Sequence, residues 1–141
     1  MKYKPTEKQL KFMNWEMGAF FHFGIRTFNH GHRDWDGKPM SVDSFNPSNL
    51  NCDQWMEVIK KFGMKYAILT TKHHEGFCLF DTKYTDYKIT NTKFGRDLVR
   101  EYVDAFRAEG IKVGFYYSLI DWHHPDFTID SCHPMWGKVD H

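Results

Sequence analysis

Long apolar runs are missing from this 141-residue chain. None approaches the roughly 20 residues needed to span a bilayer, so no membrane partner is expected. An excess of one charge is also missing: 19 Lys and Arg stand against 18 Asp and Glu, a formal charge of +1. The two signs are interspersed, and no polybasic stripe suits a phosphate backbone, so no nucleic-acid partner is expected either. Cysteine is sparse. Cys52, Cys78 and Cys132 are three and widely spaced, which argues against a disulfide scaffold and a zinc ribbon. Each reads as a small buried hydrophobe in the reduced state. The stretch from Met1 to Leu10 is polar and has no apolar signal core; with reduced thiols, this favours a cytoplasmic setting. No HxxH or HExxH helical spacing occurs, so the histidines carry little metal-site signal, and neither a metal nor another cofactor is expected.

Aromatic residues are abundant. Thirteen Phe, seven Tyr and five Trp make up 18% of the chain, within a total apolar content of 41%. Such an excess fills a core or lines a pocket, and flat ring faces stack well on the C–H faces of sugars. The length allows one domain with a modest core, so residues 1–141 are read as a single unit.

The periodicity alternates helix and strand. Thr6-Glu7-Lys8-Gln9 matches a capping box and opens a short helix to about Asn14. Met17 to Gly24 is an unbroken apolar and aromatic run, consistent with a buried strand. Thr27 to Leu50 is rich in Gly, Asn, Asp and Pro and reads as loop. Asn51-Cys52-Asp53-Gln54 is a second capping box, after which Trp55, Val58, Ile59 and Phe62 form one helical stripe ended by Gly63. Tyr66 to Thr71 is a second strand, followed by a polar loop to Gly95. Leu98, Val99, Tyr102, Val103 and Phe106 mark a third helix, stopped by Gly110, and Ile111 to Ser118 is a third strand.

Strand, helix and strand in succession predict parallel right-handed crossovers. Long connections leave the carboxyl end of each strand, as in (β/α) barrels. The expected fold class is therefore α/β, of the (β/α)8 TIM-barrel type, with only the first three or so units present. Three units cannot close a barrel, so the chain is expected to be its N-terminal part and to pair with the remainder.

Polar titratable groups gather at the predicted strand ends, where α/β proteins place ligands. His22 ends the first strand, where the residues favour a core histidine satisfied by the backbone over an imidazole aimed at a substrate hydroxyl. His73 and His74 follow the second, and both can face one pocket only if the strand stops there. Tyr116 shares an alternating face with Gly114 and Ser118, whereas Tyr117 points to the helix side and is expected to pack there. Asp34-Trp35, in the first long loop, offers a carboxylate beside a stacking ring, or else forms part of a turn around Asp36-Gly37. Paired donors and acceptors of this kind suit a polyhydroxylated ligand. A metal-dependent hydrolase recruiting His22, His123 and His124 is the weaker rival.

These residues together resemble the α-L-fucosidase family (glycoside hydrolase family 29). The resemblance runs from about Trp15 to Pro125. It is carried by Phe21-His22-Phe23-Gly24, Thr70-Thr71-Lys72-His73-His74 within Lys65 to Phe77, Lys83-Tyr84-Thr85-Asp86, Arg96-Asp97-Leu98-Val99, and Tyr116-Tyr117-Ser118 with Asp121-Trp122. It implies a barrel that cleaves terminal α-linked L-fucose from glycoconjugates or oligosaccharides with retention. His22, His73, His74 and Tyr116 then look like contacts to the sugar hydroxyls, and Asp34-Trp35 like a carboxylate-aromatic pair. Asp34 replaces the family's common Glu, Glu75 its usual Asp, and Phe23 and Phe80 its usual Trp. The family's nucleophile, an Asp after the fourth strand, and its later acid/base Glu both lie beyond residue 141. None of Asp34, Glu75, Asp81 and Asp121 matches either, so no catalytic residue is assigned and the chain alone is expected to be inactive. The alternative function is a non-catalytic fucose-binding module or a degenerate remnant.

Overall fold

A computed structural model describes residues 3–29 and 38–138. Helix α1 spans Glu7–Met13 and strand β1 Gly18–Phe21, followed by helix α2 (Cys52–Lys61), strand β2 (Tyr66–Lys72), helix α3 (Leu98–Ala108) and strand β3 (Lys112–Tyr117). The three strands form one parallel sheet in the order β1-β2-β3. The chain is thus α/β with a three-stranded parallel sheet.

Local chemistry accounts for the helix ends. Thr6 and Gln9 make the reciprocal capping box of α1. Asn51 accepts from the Gln54 amide at 3.0 Å, and Asp97 from the Arg100 amide at 2.9 Å, each satisfying an amide that a helix leaves open. Helices α2 and α3 end alike. Gly63 and Gly110 take positive φ, and the amides of Met64 and Ile111 reach back to the carbonyls of Ile59 and Phe106. This is a Schellman motif, and it turns the chain directly into the next strand.

The core lies between the sheet and α2 and α3. Phe21 stacks on Trp55 at 4.8 Å and meets Phe106 edge-on at 5.9 Å. Ala67 and Leu69 of β2 and Leu98, Tyr102 and Phe106 of α3 are fully buried. Each large side chain buried this way contributes about 1.5–3 kcal/mol. The Tyr102 hydroxyl donates to the Ala67 carbonyl at 2.6 Å, so its polar end is satisfied inside the core. Helix α1 sits on the opposite face, at the amino end of β2, where Phe12 and Trp15 pack against the Tyr66 ring at 5.5 and 5.8 Å.

Five expectations need correction. Cys132 is exposed, not a buried hydrophobe, in the tail beyond β3. The first strand is shorter than the apolar run, and Phe20 is 53% exposed because, among the described residues, only α1 covers its face of the sheet, and only at the amino end. Helix α2 buries Cys52, Met56 and Ile59, while Val58 and Phe62 are exposed. The connection between β2 and α3 is not simply polar. Phe77, Leu79, Tyr87 and Ile89 are buried, and Cys78 bridges to both Lys72 and Lys88. Tyr117 does not pack under a helix: it is about half exposed, with the Lys72 ammonium 4.8 Å from its ring centre.

Candidate functional site

Register builds the site. Phe20 pairs with Ile68 and Ile68 with Gly114, giving one layer on the face away from α2 and α3. Two residues further along each strand, the same face carries His22, Thr70 and Tyr116, and Thr70 pairs directly with Tyr116. Threonine is small, so the middle of this upper layer stays low between an imidazole and a phenol. Gly114 keeps the lower layer tight: a Cβ there would stand 3.1 Å from Ile68 Cγ1.

Strand β2 then departs from simple alternation. Between Thr70 and Lys72 the register shifts, so that Lys72 pairs with Tyr117. A bulge of this kind re-aims the following side chains. His73 turns onto the Tyr116 ring, stacked at 5.5 Å and 23°. The His22 ring is 4.9 Å from the His73 ring, and the His73 ring 4.2 Å from that of His74. The structure therefore brings together His22, His73, His74 and Tyr116 at the carboxyl end of the sheet. Asp34 and Trp35 lie outside the described residues.

Around this cluster are groups that the sequence did not place in the pocket. Phe20 lies 6.0 Å from the Tyr116 ring and supplies an apolar floor; its position two residues before His22 was the available signal. A cavity of about 220 Å³ opens beside the histidines, lined by His22, Arg26, Thr70, His73 and Glu75 among others. Among the described residues, the Thr70 hydroxyl and Arg26 Nε are buried there without hydrogen-bond partners. Glu75 is 4% exposed, with its carboxylate 3.7 Å from His73 Nδ1. Ser118, on the same face as Tyr116, is buried against His74.

An ion pair braces the far side. Lys72 Nζ donates to Asp121 Oδ2 at 2.8 Å, with only 5% of the lysine side chain exposed. The other Asp121 oxygen caps the amides of His123 and His124. The adjacent Trp122 amide donates to the His74 carbonyl at 2.8 Å, and the Trp122 ring meets the His74 ring edge-on at 5.1 Å. His123 stacks on Tyr87 at 4.3 Å, and burial pushes its imidazole below its ordinary value. Burial also raises the Cys52 thiol to about 12 and the Cys78 thiol to about 11. Neither is a ready nucleophile. Among the described residues, no three His, Cys, Asp or Glu side chains are arranged to hold a metal ion. No helix among them is long and apolar enough to cross a membrane.

The arrangement can hydrogen-bond several hydroxyl groups from one side while an aromatic ring supplies an apolar surface. Comparison with known proteins agrees with this chemistry. A family model described as Alpha-L-fucosidase matches residues 1–140. The chain belongs to the α-L-fucosidase family.

Alpha-L-fucosidase 1 of Arabidopsis thaliana is 37% identical to this fucosidase-family chain over 122 residues, covering 84% of the chain and 24% of the relative. Tissue alpha-L-fucosidase of Mus musculus is 40% identical over 116 residues, covering 82% and 25%. Among solved structures, alpha-L-fucosidase isoenzyme 1 from Paenibacillus thiaminolyticus superposes with a TM-score of 0.80 at 48% identity, over 92% of this chain and 34% of that one. A bacterial fucosidase with a monovalent iminocyclitol inhibitor gives 0.77 at 34% identity, over 96% and 35%. The chain thus spans about a quarter of these curated relatives and about a third of these solved chains.

Proposed function

We propose that this chain supplies the sugar-binding wall of a retaining α-L-fucosidase, as the first three β/α units of its (β/α) barrel. The observation that carries this reading is the joining of His22, His73, His74 and Tyr116 into one ring cluster at the carboxyl ends of parallel strands. Fucose has several hydroxyls and one methyl group. It needs convergent hydrogen-bond partners beside an apolar surface, and the imidazoles, the phenol and Phe20 offer both. Asp34-Trp35 is proposed to add a carboxylate and a ring.

A barrel also fits the surfaces left open. Phe20 is 53% exposed on the inner face, and Phe115 and Tyr117 are about half exposed on β3, the last strand of the sheet. A further strand and helix would cover them. Retaining hydrolysis needs two carboxyl groups about 5–5.5 Å apart, one as nucleophile and one as acid/base. Both are assigned to the remainder of the barrel. The histidine wall holds and orients the sugar ring, so that binding energy brings the anomeric carbon to those carboxylates.

The test compares the isolated chain with the complete enzyme on an aryl α-L-fucoside. The complete enzyme is expected to hydrolyse it with retention, to lose activity on His73→Ala, and the isolated chain to be inactive. Hydrolysis by the isolated chain would overturn this division of labour. A second reading is favoured by four contact groups being assembled on three strands: the chain binds fucose by itself, without catalysis. Calorimetry with L-fucose decides it, His73-dependent binding being the supporting result.

A further inference from the structure

We propose that Ser118 is a positioning residue for His74, fixing its proton on Nδ1 so that Nε2 faces the ligand as a hydrogen-bond acceptor. The ligand half of this statement rests on the fucose-binding reading above; the proton half does not. The geometry is a relay of three groups. Ser118 Oγ is 2.6 Å from His74 Nδ1 and 2.8 Å from the Ile120 carbonyl oxygen. A carbonyl can only accept, and a serine hydroxyl has a single hydrogen. That hydrogen therefore goes to Ile120. If Ser118 donated to the ring instead, two oxygens would stand 2.8 Å apart with no hydrogen between them. Nδ1 must accordingly be the donor, and in the neutral ring Nε2 then carries the lone pair.

The relay is held in place on every side. Ser118 is 4% exposed, so bulk water does not readily replace its partners. Its amide donates to the Lys72 carbonyl at 3.0 Å, tying the end of β3 to the end of β2. The His74 carbonyl is fixed by the Trp122 amide, and the Trp122 ring limits rotation of the imidazole. A histidine that presents an acceptor selects a ligand hydroxyl as donor. The other hydrogen-bonding capacity of that hydroxyl is left for a neighbouring donor, which gives the site a direction of hydrogen bonding as well as a shape.

The experiment reads the tautomer of His74 directly, by ¹⁵N chemical shifts of the labelled ring at about pH 8 with no sugar present, in the wild-type chain, Ser118→Ala and Ser118→Thr. A protonated Nδ1 is expected in the wild type. It should be lost in Ser118→Ala and restored in Ser118→Thr, which keeps the hydroxyl. Protonation at Nε2 in the wild type, or an unchanged ring in Ser118→Ala, would overturn the proposal. Calorimetry of the complete enzyme with L-fucose supplies the second arm: Ser118→Ala should weaken binding about tenfold, as expected for one misdirected hydrogen bond. A ring protonated on Nδ1 in a complete enzyme that binds no fucose would sink the functional reading and leave the Ser118 assignment standing.

Discussion

Removing the negative end of the Lys72–Asp121 pair should destabilise the protein far more than removing the positive end. At 2.8 Å and an effective dielectric of 20, the Coulomb attraction is about 6 kcal/mol, and desolvation of the nearly buried ammonium offsets much of it. The net value of the pair is therefore small, but its halves differ. Lys72 is 5% exposed and Asp121 25%. Asp121→Asn keeps an oxygen to cap the His123 and His124 amides, and so isolates the charge. It strands an ammonium with poor access to water, at an expected cost of about 3 kcal/mol, or roughly 10 °C in melting temperature for a chain of this size. Lys72→Met leaves a carboxylate that water can reach and keeps the aliphatic packing, so about 1–2 kcal/mol is expected, including the contact to the Tyr117 ring. The double variant should cost about 2 kcal/mol, for a coupling of about 2–3 kcal/mol in a urea-denaturation cycle. A cost for Asp121→Asn below about 1 kcal/mol, or additive single effects, would refute the reasoning.

Other substitutions probe the same region. Gly76 has φ +85°, and a Cβ there would stand 2.5 Å from Asp121 Oδ1, so Gly76→Ala should cost about 2 kcal/mol by combined backbone strain and displacement of that carboxylate, read from the urea midpoint. Thr70→Val removes a buried hydroxyl with no partner; stability should rise by about 1 kcal/mol while fucoside affinity falls, and a loss of stability would show that the hydroxyl is satisfied after all. Cys132 is exposed, whereas the buried Cys52 and Cys78 thiols stand at about 12 and about 11; iodoacetamide at neutral pH should label Cys132 first, and mass spectrometry showing equal labelling in the folded chain would contradict the burial. His123 is held below its ordinary value. On acidification the unfolded chain takes up that proton before the folded one does, so stability should fall as the pH drops through and below about 6.5. His123→Asn should flatten that part of the melting-temperature profile.

Much of this architecture was legible because its signals are local. Caps at Thr6 and Asn51 and glycines at 63 and 110 bound the helices through bonds that span only a few residues. The buried face of α2 was misread because two stripes overlap. Trp55, Val58, Ile59 and Phe62 fit a helical spacing, but so do Cys52, Trp55, Met56 and Ile59, and packing against the sheet and α3 selects the second. The segment from Phe77 to Ile89 reads as polar in the sequence because its buried residues come in two short groups, Phe77–Leu79 and Tyr87 with Ile89, each too brief to register as a strand. His73 and His74 were legible as a pocket pair because a strand end frees both neighbours from alternation. The role of Ser118 was not legible, since a serine oxygen beside an imidazole depends on how β2 and β3 are aligned.

The bulge in β2 shows why composition and alternation alone could not complete the site. Under strict alternation from Tyr66, Lys72 would share the face of Ile68 and Thr70, and His73 would point toward the helix layer. A cation would then occupy the pocket and an imidazole the core. The register shift between Thr70 and Lys72 reverses both. Lys72 moves to the Tyr117 side, where Asp121 neutralises it, and His73 takes its place beside His22 and Tyr116. The ion pair and the histidine cluster are thus two outcomes of one displaced residue. Lys72→Leu together with Asp121→Leu, which would remove the charge penalty for returning residue 72 to the pocket face, tests the link: the His73 ring should lose its stacking on Tyr116 if the pair holds the bulge, and keep it if the bulge is set by the backbone alone.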